Sequence, residues 1–159
     1  MDDLIEILTT TPMNVFQALI DNIPSPVYYK DDRGNYRIYN KACREYCGIA
    51  GEEFIGKDIF QLPIRREDAE IHHAVDLEIL REGGTRTYEL KTTHDDGIVH
   101  HGLIRKSSFR DLDGKINGVV GIIMDITEKK RMEEDILKSK NLQSVATLAG
   151  GIAHDFNNL

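Results

Sequence analysis

The sequence predicts an α+β fold, with five antiparallel strands and helices inserted between the second and third. Three observations predict it. Two β-prone runs, Val27 to Lys30 and Tyr36 to Asn40, flank the polar, Gly-bearing stretch Asp31 to Asn35, the pattern of a hairpin. Strand character then vanishes from Lys41 to Glu82, where helical pieces fit Lys41 to Cys47, Gly51 to Leu62 and Arg66 to Arg81. Three further strands, Thr85 to Thr93, Ile98 to Phe109 and Lys115 to Ile126, are divided by Asp96-Gly97 and Asp113-Gly114. Asp-Gly between strand-like runs is a strong short-range hairpin signal. Strands before and after a helical block, joined by tight turns, favour an antiparallel α+β sheet.

The remaining elements follow in order. Leu4, Ile5, Ile7 and Leu8 cluster at the start, and residues 1–23 read as N-terminal cap helices. Thr11-Pro12 marks a helix start, because Thr caps well and Pro lacks only an N–H that would be unpaired there. Val15, Phe16, Leu19, Ile20 and Ile23 follow at helical spacing until Pro24 and Pro26 end the run. Gly83-Gly84 stops the long helix before the third strand. Tyr88, Leu90 and Thr92 share one face of that strand. The last strand carries Ile116, Val119, Val120, Ile122 and Ile123 on both faces, so it should be central. Tyr28, Tyr36 and Tyr39 read as hairpin and core packing.

Composition bounds the function. The 159 residues are 40% hydrophobic and 30% charged, an ordinary globular balance. Twenty basic against 27 acidic residues give a net charge of −7, which disfavours nucleic-acid binding through a broad basic surface. The longest apolar run, Gly118 to Met124, is far short of the ~18 residues of a membrane span. The acidic start lacks the basic front of a secretory signal. Cys43 and Cys47 make no disulfide framework, and the cytoplasm is the expected compartment. One helical turn apart, they fit buried small hydrophobes, or a metal or redox pair, but two ligands do not make a zinc site. No Walker motif, Gly-x-Gly-x-x-Gly or hydrolase triad signature is present.

The tail from Thr127, which can cap a helix start, has no Gly or Pro until Gly150. Its five basic residues balance its five acidic ones, so the whole charge deficit sits in residues 1–126. Leu142, Val145, Ala149, Ile152, Phe156 and Leu159 are spaced 3, 4, 3, 4, 3, a heptad seam with Leu142 at a and Val145 at d. Met132 and Ile136 do not extend this register, which predicts a break near Lys138 to Asn141. Two and a half heptads need a partner helix, and a second copy of the chain is the natural one. In this register His154 falls at f, away from the seam, with Asn158 four residues on along the same face.

This order of elements resembles a PAS sensor domain, over residues 24–126. Asp125-Ile126-Thr127-Glu128 resembles the ending that leads many PAS domains into a signalling helix, here 127–141. Residues 142–159 are sharper: Leu148-Ala149-Gly150-Gly151-Ile152-Ala153-His154-Asp155-Phe156-Asn157-Asn158-Leu159 resembles the phosphoacceptor box of sensor histidine kinases. It departs from the common box in having no Pro after the His-Asp-x-Asn-Asn run. The resemblance implies His154 as phosphoacceptor, Asp155 as the acid/base that orients it, and Asn158 as an amide for dephosphorylating a response regulator. It also implies a homodimer joined through the C-terminal helix, a receiver-domain partner, and an ATP-binding domain beyond residue 159. The chain then reads as a piece of an ATP-dependent histidine kinase, inactive alone. Gly150 and Gly151 leave bare helix surface one turn before His154, where another domain could approach.

PAS domains bind haem, flavin, small metabolites or nothing, between the sheet and the helical middle. A flavin adduct is disfavoured, because Ile59 stands where the light-sensing subfamily has its reactive cysteine. Oxygen-sensing members ligate haem through a His on the long helix, and counting back from Gly83 points to His73 rather than His72. His100 and His101 are adjacent on a strand, so one of them could face the pocket and meet an anionic ligand with Arg37 or Lys106. Two alternatives to a ligand-gated kinase input remain. One is a ligand-free PAS dimerisation module with a pocket filled by its own side chains. The other is a haem-based gas sensor.

Overall fold

Inward positions on the strands and polar caps at the helix ends decide the architecture. The structure is a computed structural model that describes residues 13–48, 54–93 and 97–158. The apolar cluster at Leu4 to Leu8 and the Thr11-Pro12 start lie outside the described residues. The chain divides into two compact units, one ending at Asp125 and one beginning at Ile126.

In the first unit, α1 (Met13–Asp21) precedes the hairpin of β1 (Val27–Asp31) and β2 (Tyr36–Tyr39). The turn forms because Asp31 Oδ1 accepts the amides of Arg33 (3.0 Å) and Asn35 (2.9 Å). Helix α2 (Lys41–Cys47) is N-capped by the fully buried Asn40, whose Oδ1 accepts from Cys43 N (3.0 Å) and Val27 N (2.9 Å). Its amide donates to the carbonyls of Ile20, Ile23 and Ser25, at 3.0, 3.0 and 2.9 Å. One side chain therefore ties the end of α1, the start of β1 and the start of α2.

The predicted helix Gly51 to Leu62 is corrected. Residues 49–53 lie outside the described ones. The rest holds a turn and then a short 3-10 turn, Ile59–Gln61, capped by Asp58 and Gln61. Gly56 sits at φ 79°, which ends any right-handed run, and Pro63 prevents continuation. Helix α3 (Arg66–Glu82) then runs to Gly83, at φ 74°.

Strands β3 (Thr85–Thr93), β4 (Val99–Arg110) and β5 (Ile116–Asp125) complete an antiparallel sheet of order β2-β1-β5-β4-β3. The last strand is central, as its two apolar faces predicted. Gly121 faces Tyr28 across β1 and β5, and a Cβ there would overlap the Tyr28 ring. The missing side chain lets Tyr28 lie across the sheet into the core with Tyr36, Phe54, Ile59, Ile104 and Ile123.

The second unit is α4 (Thr127–Asn157), one helix of 31 residues. Its first carbonyl bond runs from Lys130 N to Ile126 O, so Thr127 is the first helical residue. The backbone is helical through Lys138 to Asn141, where a change of seam register is expected. No Gly or Pro interrupts it there, and a change of seam register is invisible to i→i−4 hydrogen bonds. Leu142, Val145 and Ile152 of the seam are 71%, 63% and 58% exposed. The side chain of Phe156 and all of Leu159 lie outside the described residues. No helix among the described residues is long and apolar enough to cross a membrane.

Candidate functional site

Between the sheet and the helical segments lies a cavity of about 120 Å³. Tyr28 and Tyr36 form its sheet wall, and Cys43, Tyr46 and Cys47 come from α2. Phe54 and Ile59 close one side, while Asp68, His72 and Thr92 supply polar atoms on the other. The Tyr28 and Tyr36 rings meet edge to face at 5.4 Å, and Tyr36 meets Phe54 at 5.3 Å. Such pairs hold an aromatic wall without needing a ligand.

Behind that wall lies a buried charge triad. Asp76 Oδ2 accepts from Lys30 Nζ at 2.7 Å, and its Oδ1 accepts from Lys106 Nζ at 2.5 Å. Lys106 also donates to the His72 carbonyl at 2.9 Å. Burial alone would raise the Asp76 carboxyl, but the two ammonium groups hold it below its ordinary value. Burial pushes the Lys106 ammonium down to about 8, against the pull of Asp76. The triad carries two cations against one anion, and the excess charge faces aromatic rings. Lys30 Nζ lies 4.5 Å from the Tyr36 ring centroid, and Lys106 Nζ 5.8 Å from that of Tyr88.

Two further polar groups are fixed at the cavity. His72 Nδ1 shares a 2.6 Å hydrogen bond with the Tyr88 hydroxyl. Burial first, then Lys106 and Lys30, push the imidazole down to about 3, so it is neutral at pH 7. Asp68 is buried and receives a two-pronged bond from Arg65, Nε at 2.9 Å and Nη2 at 3.0 Å.

The residues expected from sequence are distributed otherwise. His73 lies on α3 but outside the cavity wall, against the Phe60 ring at 5.1 Å, while its neighbour His72 lines the cavity. His100 lines a separate cleft with Pro24, Tyr46 and Asp125, and its Nδ1 lies 3.0 Å from Asp125 Oδ2. Arg37 pairs with Asp31 at 2.7 Å on the exposed side of the hairpin. Lys106 is committed to Asp76. These residues are therefore not brought together around one ligand. The triad went unforeseen because its members are far apart in sequence, although Lys30 and Lys106 occupy inward strand positions beside Tyr28 and Ile104.

The exposed His154 of α4 and Asn158, just past its end, do meet: Asn158 Nδ2 lies 3.2 Å from both ring nitrogens. The side chain of Asp155 lies outside the described residues. Gly150 and Gly151 have open space where a Cβ would stand.

The family model for the PAS fold matches residues 20–131. The chain belongs to the PAS family. Sporulation kinase C of Bacillus subtilis is 23% identical to it over 148 residues, 88% of this chain and 34% of the kinase. The chain thus spans about a third of that relative's length. Among solved structures, the PAS domain of Bordetella pertussis BvgS superposes with a TM-score of 0.64 at 23% identity, covering 81% of this chain and 96% of that one. A ligand- and DNA-bound complex of VqmA from Vibrio cholerae gives 0.67 at 23% identity, over 75% of this chain and 53% of that one. The PAS domain here therefore shares its sheet and helical middle with solved PAS domains and is homologous to the PAS regions of sensor kinases.

Proposed function

We propose that this chain is the input region of a two-component sensor histidine kinase. Its PAS cavity takes a small molecule, and α4 carries the resulting change to the phosphoacceptor His154. The observation that carries this reading is helix continuity: α4 runs unbroken from Thr127, next to the end of the central strand, through His154. A helix transmits rotation or register change along its length, and one of 31 residues extends roughly 46 Å at 1.5 Å per residue. The exposed Leu142, Val145 and Ile152 support pairing with a second copy. His154, at position f when Leu142 is at a, would point away from the pairing seam, where an ATP-bearing domain could reach it.

The chemistry asks little of the helix. A neutral imidazole attacks the γ-phosphorus with one nitrogen, while the other N–H needs a carboxylate to stabilise the charge that develops. Asp155 is the proposed orienting acid/base. Asn158, already beside the ring, is the amide that would orient water when a receiver domain is dephosphorylated. For the sensor half, a cavity of about 120 Å³ favours a small metabolite over the filled pocket of a pure dimerisation module. Haem needs far more room, since pockets for drug-sized ligands already run to roughly 300–1,000 Å³.

The test uses the kinase that contains this segment. Incubation with γ-labelled ATP should give an acid-labile, alkali-stable phosphoryl group that vanishes in His154→Gln. Label retained in that variant would overturn the assignment.

A further inference from the structure

The two cysteines of the chain, Cys43 and Cys47, both line the cavity, one helical turn apart on α2. We propose that they form a peroxide-oxidisable dithiol, which closes to an intrahelical disulfide in the cavity wall. This inference concerns the cavity itself and does not depend on the kinase reading.

The pair is asymmetric in the way stepwise oxidation requires. The Cys47 thiol is held below its ordinary value and the Cys43 thiol pushed up, each chiefly by the other's sulfur, with burial adding to the rise at Cys43. Cys47 is partly exposed and Cys43 is fully buried. A thiol held below its ordinary value beside a second sulfur is the arrangement that favours reversible oxidation. With no other cysteine in the chain, there is no internal rival.

The steps balance. The Cys47 thiolate attacks one oxygen of hydrogen peroxide, the O–O bond breaks, and hydroxide leaves to become water. Cys47 is now a sulfenic acid. The Cys43 sulfur attacks the Cys47 sulfur, the S–OH bond breaks, and the hydroxyl leaves with the Cys43 proton as a second water. Two thiols and one peroxide give one disulfide and two waters.

The geometry permits closure at a defined cost to the helix. Residues four apart on a helix have Cα atoms about 6 Å apart, inside the usual disulfide range of about 4.4–6.8 Å. Their Cβ atoms, about 5–6 Å apart, must approach to roughly 4 Å. The helix can yield at that end, because Cys47 is its last residue and Gly48 follows in the left-handed conformation, its N–H on Arg44 O at 2.9 Å. Closure would pull Cys47 out of the last turn, strain that cap, and reshape the wall beside Tyr46. Oxidation and ligand occupancy would then read the same cavity.

The experiment treats the folded chain with hydrogen peroxide, then unfolds it in N-ethylmaleimide and digests it with trypsin. Arg44 separates the two cysteines, so a disulfide must join the peptides 42–44 and 45–57. We expect that cross-linked pair in most chains, no alkylation of either sulfur, and recovery of both thiols with dithiothreitol. Cys43→Ser should stop at a Cys47 sulfenic acid that dimedone traps, and Cys47→Ser should leave Cys43 reduced. Circular dichroism shows whether each variant is folded, and the unaltered chain decides the matter by itself. Full alkylation of both cysteines, or disulfides only between chains, would overturn the proposal.

Discussion

Residues 13–125 bury charge that they must satisfy, whereas 127–157 expose hydrocarbon that they do not cover. In the first region Lys30, Asp68, Asp76 and Lys106 are between 0% and 3% exposed, and each has a charged partner. In the second, Leu142, Val145, Leu148 and Ile152 are each more than half exposed. Each region breaks one ordinary rule of burial, in opposite directions. The difference teaches where each keeps its stabilising partners. The buried charges of the sheet domain pair inside it. A helix with an exposed apolar stripe gains little from folding alone, since most helical stability comes from packing. Each expectation below breaks or sharpens that contrast.

The largest effect should come from Asp76→Ala. It leaves two buried ammonium groups facing each other, and removing one partner of a buried ion network costs about 3–5 kcal/mol. Urea unfolding should show this loss in the sheet domain. Adding Lys30→Met and Lys106→Met should recover most of it, because apolar replacement of a whole buried network is often neutral. If the triple variant stays as unstable as the single one, the triad is holding the fold by something other than charge balance.

On the helix, Val145→Asp with Ile152→Asp should weaken self-association roughly hundredfold, about 3 kcal/mol, by removing two apolar anchors. Native mass spectrometry across a concentration series reads the change. The sheet domain should melt at the same temperature in the monomer. A dimer that survives both charges would move the pairing surface away from the helix.

The pH response sharpens the first region. His72 is pushed down to about 3 from an ordinary 6.5, so between those values the unfolded chain binds the proton and the folded one does not. Its contribution is complete above 6.5 and is lost as pH falls toward 3. Linkage gives a loss of about 2 kcal/mol between pH 7 and pH 5. His72→Gln should flatten that slope down to about pH 3, leaving the loss at lower pH that comes from Asp76, whose carboxyl the two ammonium groups hold below its ordinary value. The charged groups that face His72 are Lys106, Lys30 and Asp76, and the triple variant above should shrink the effect by removing their fields.

Much of the fold was legible because tight turns and alternation are local signals. Asp-Gly pairs bounded the last three strands, and Gly118 to Met124, apolar on both faces, placed β5 at the centre of the sheet. The helical middle was misread where one Gly at positive φ decided the path. The cavity residues were less legible, for a physical reason. A lysine on a strand reads as surface unless its inward partners are known, and Lys30, Asp76 and Lys106 share no local spacing. The choice of His73 over His72 rested on a count from the helix end. The informative signal was the line Asp68, His72, Asp76, each four residues on, with both carboxylates buried beside Ala69 and Ile79.

The smallest effect tests whether the second region is shaped for a visitor as well as for a partner. Gly150 and Gly151 each cost the helix about 1 kcal/mol relative to Ala, and an added Cβ at either meets nothing. Replacing both with Ala should therefore raise helicity by circular dichroism and leave self-association unchanged or slightly stronger. If the bare surface serves only the helix, phosphorylation of His154 in the proposed kinase should rise or hold with it. If it admits the ATP-bearing domain one turn from His154, the phosphorylation rate should fall several-fold while helix stability increases. Opposite movement of the two readouts would mark the glycines as a docking face retained at the expense of the helix.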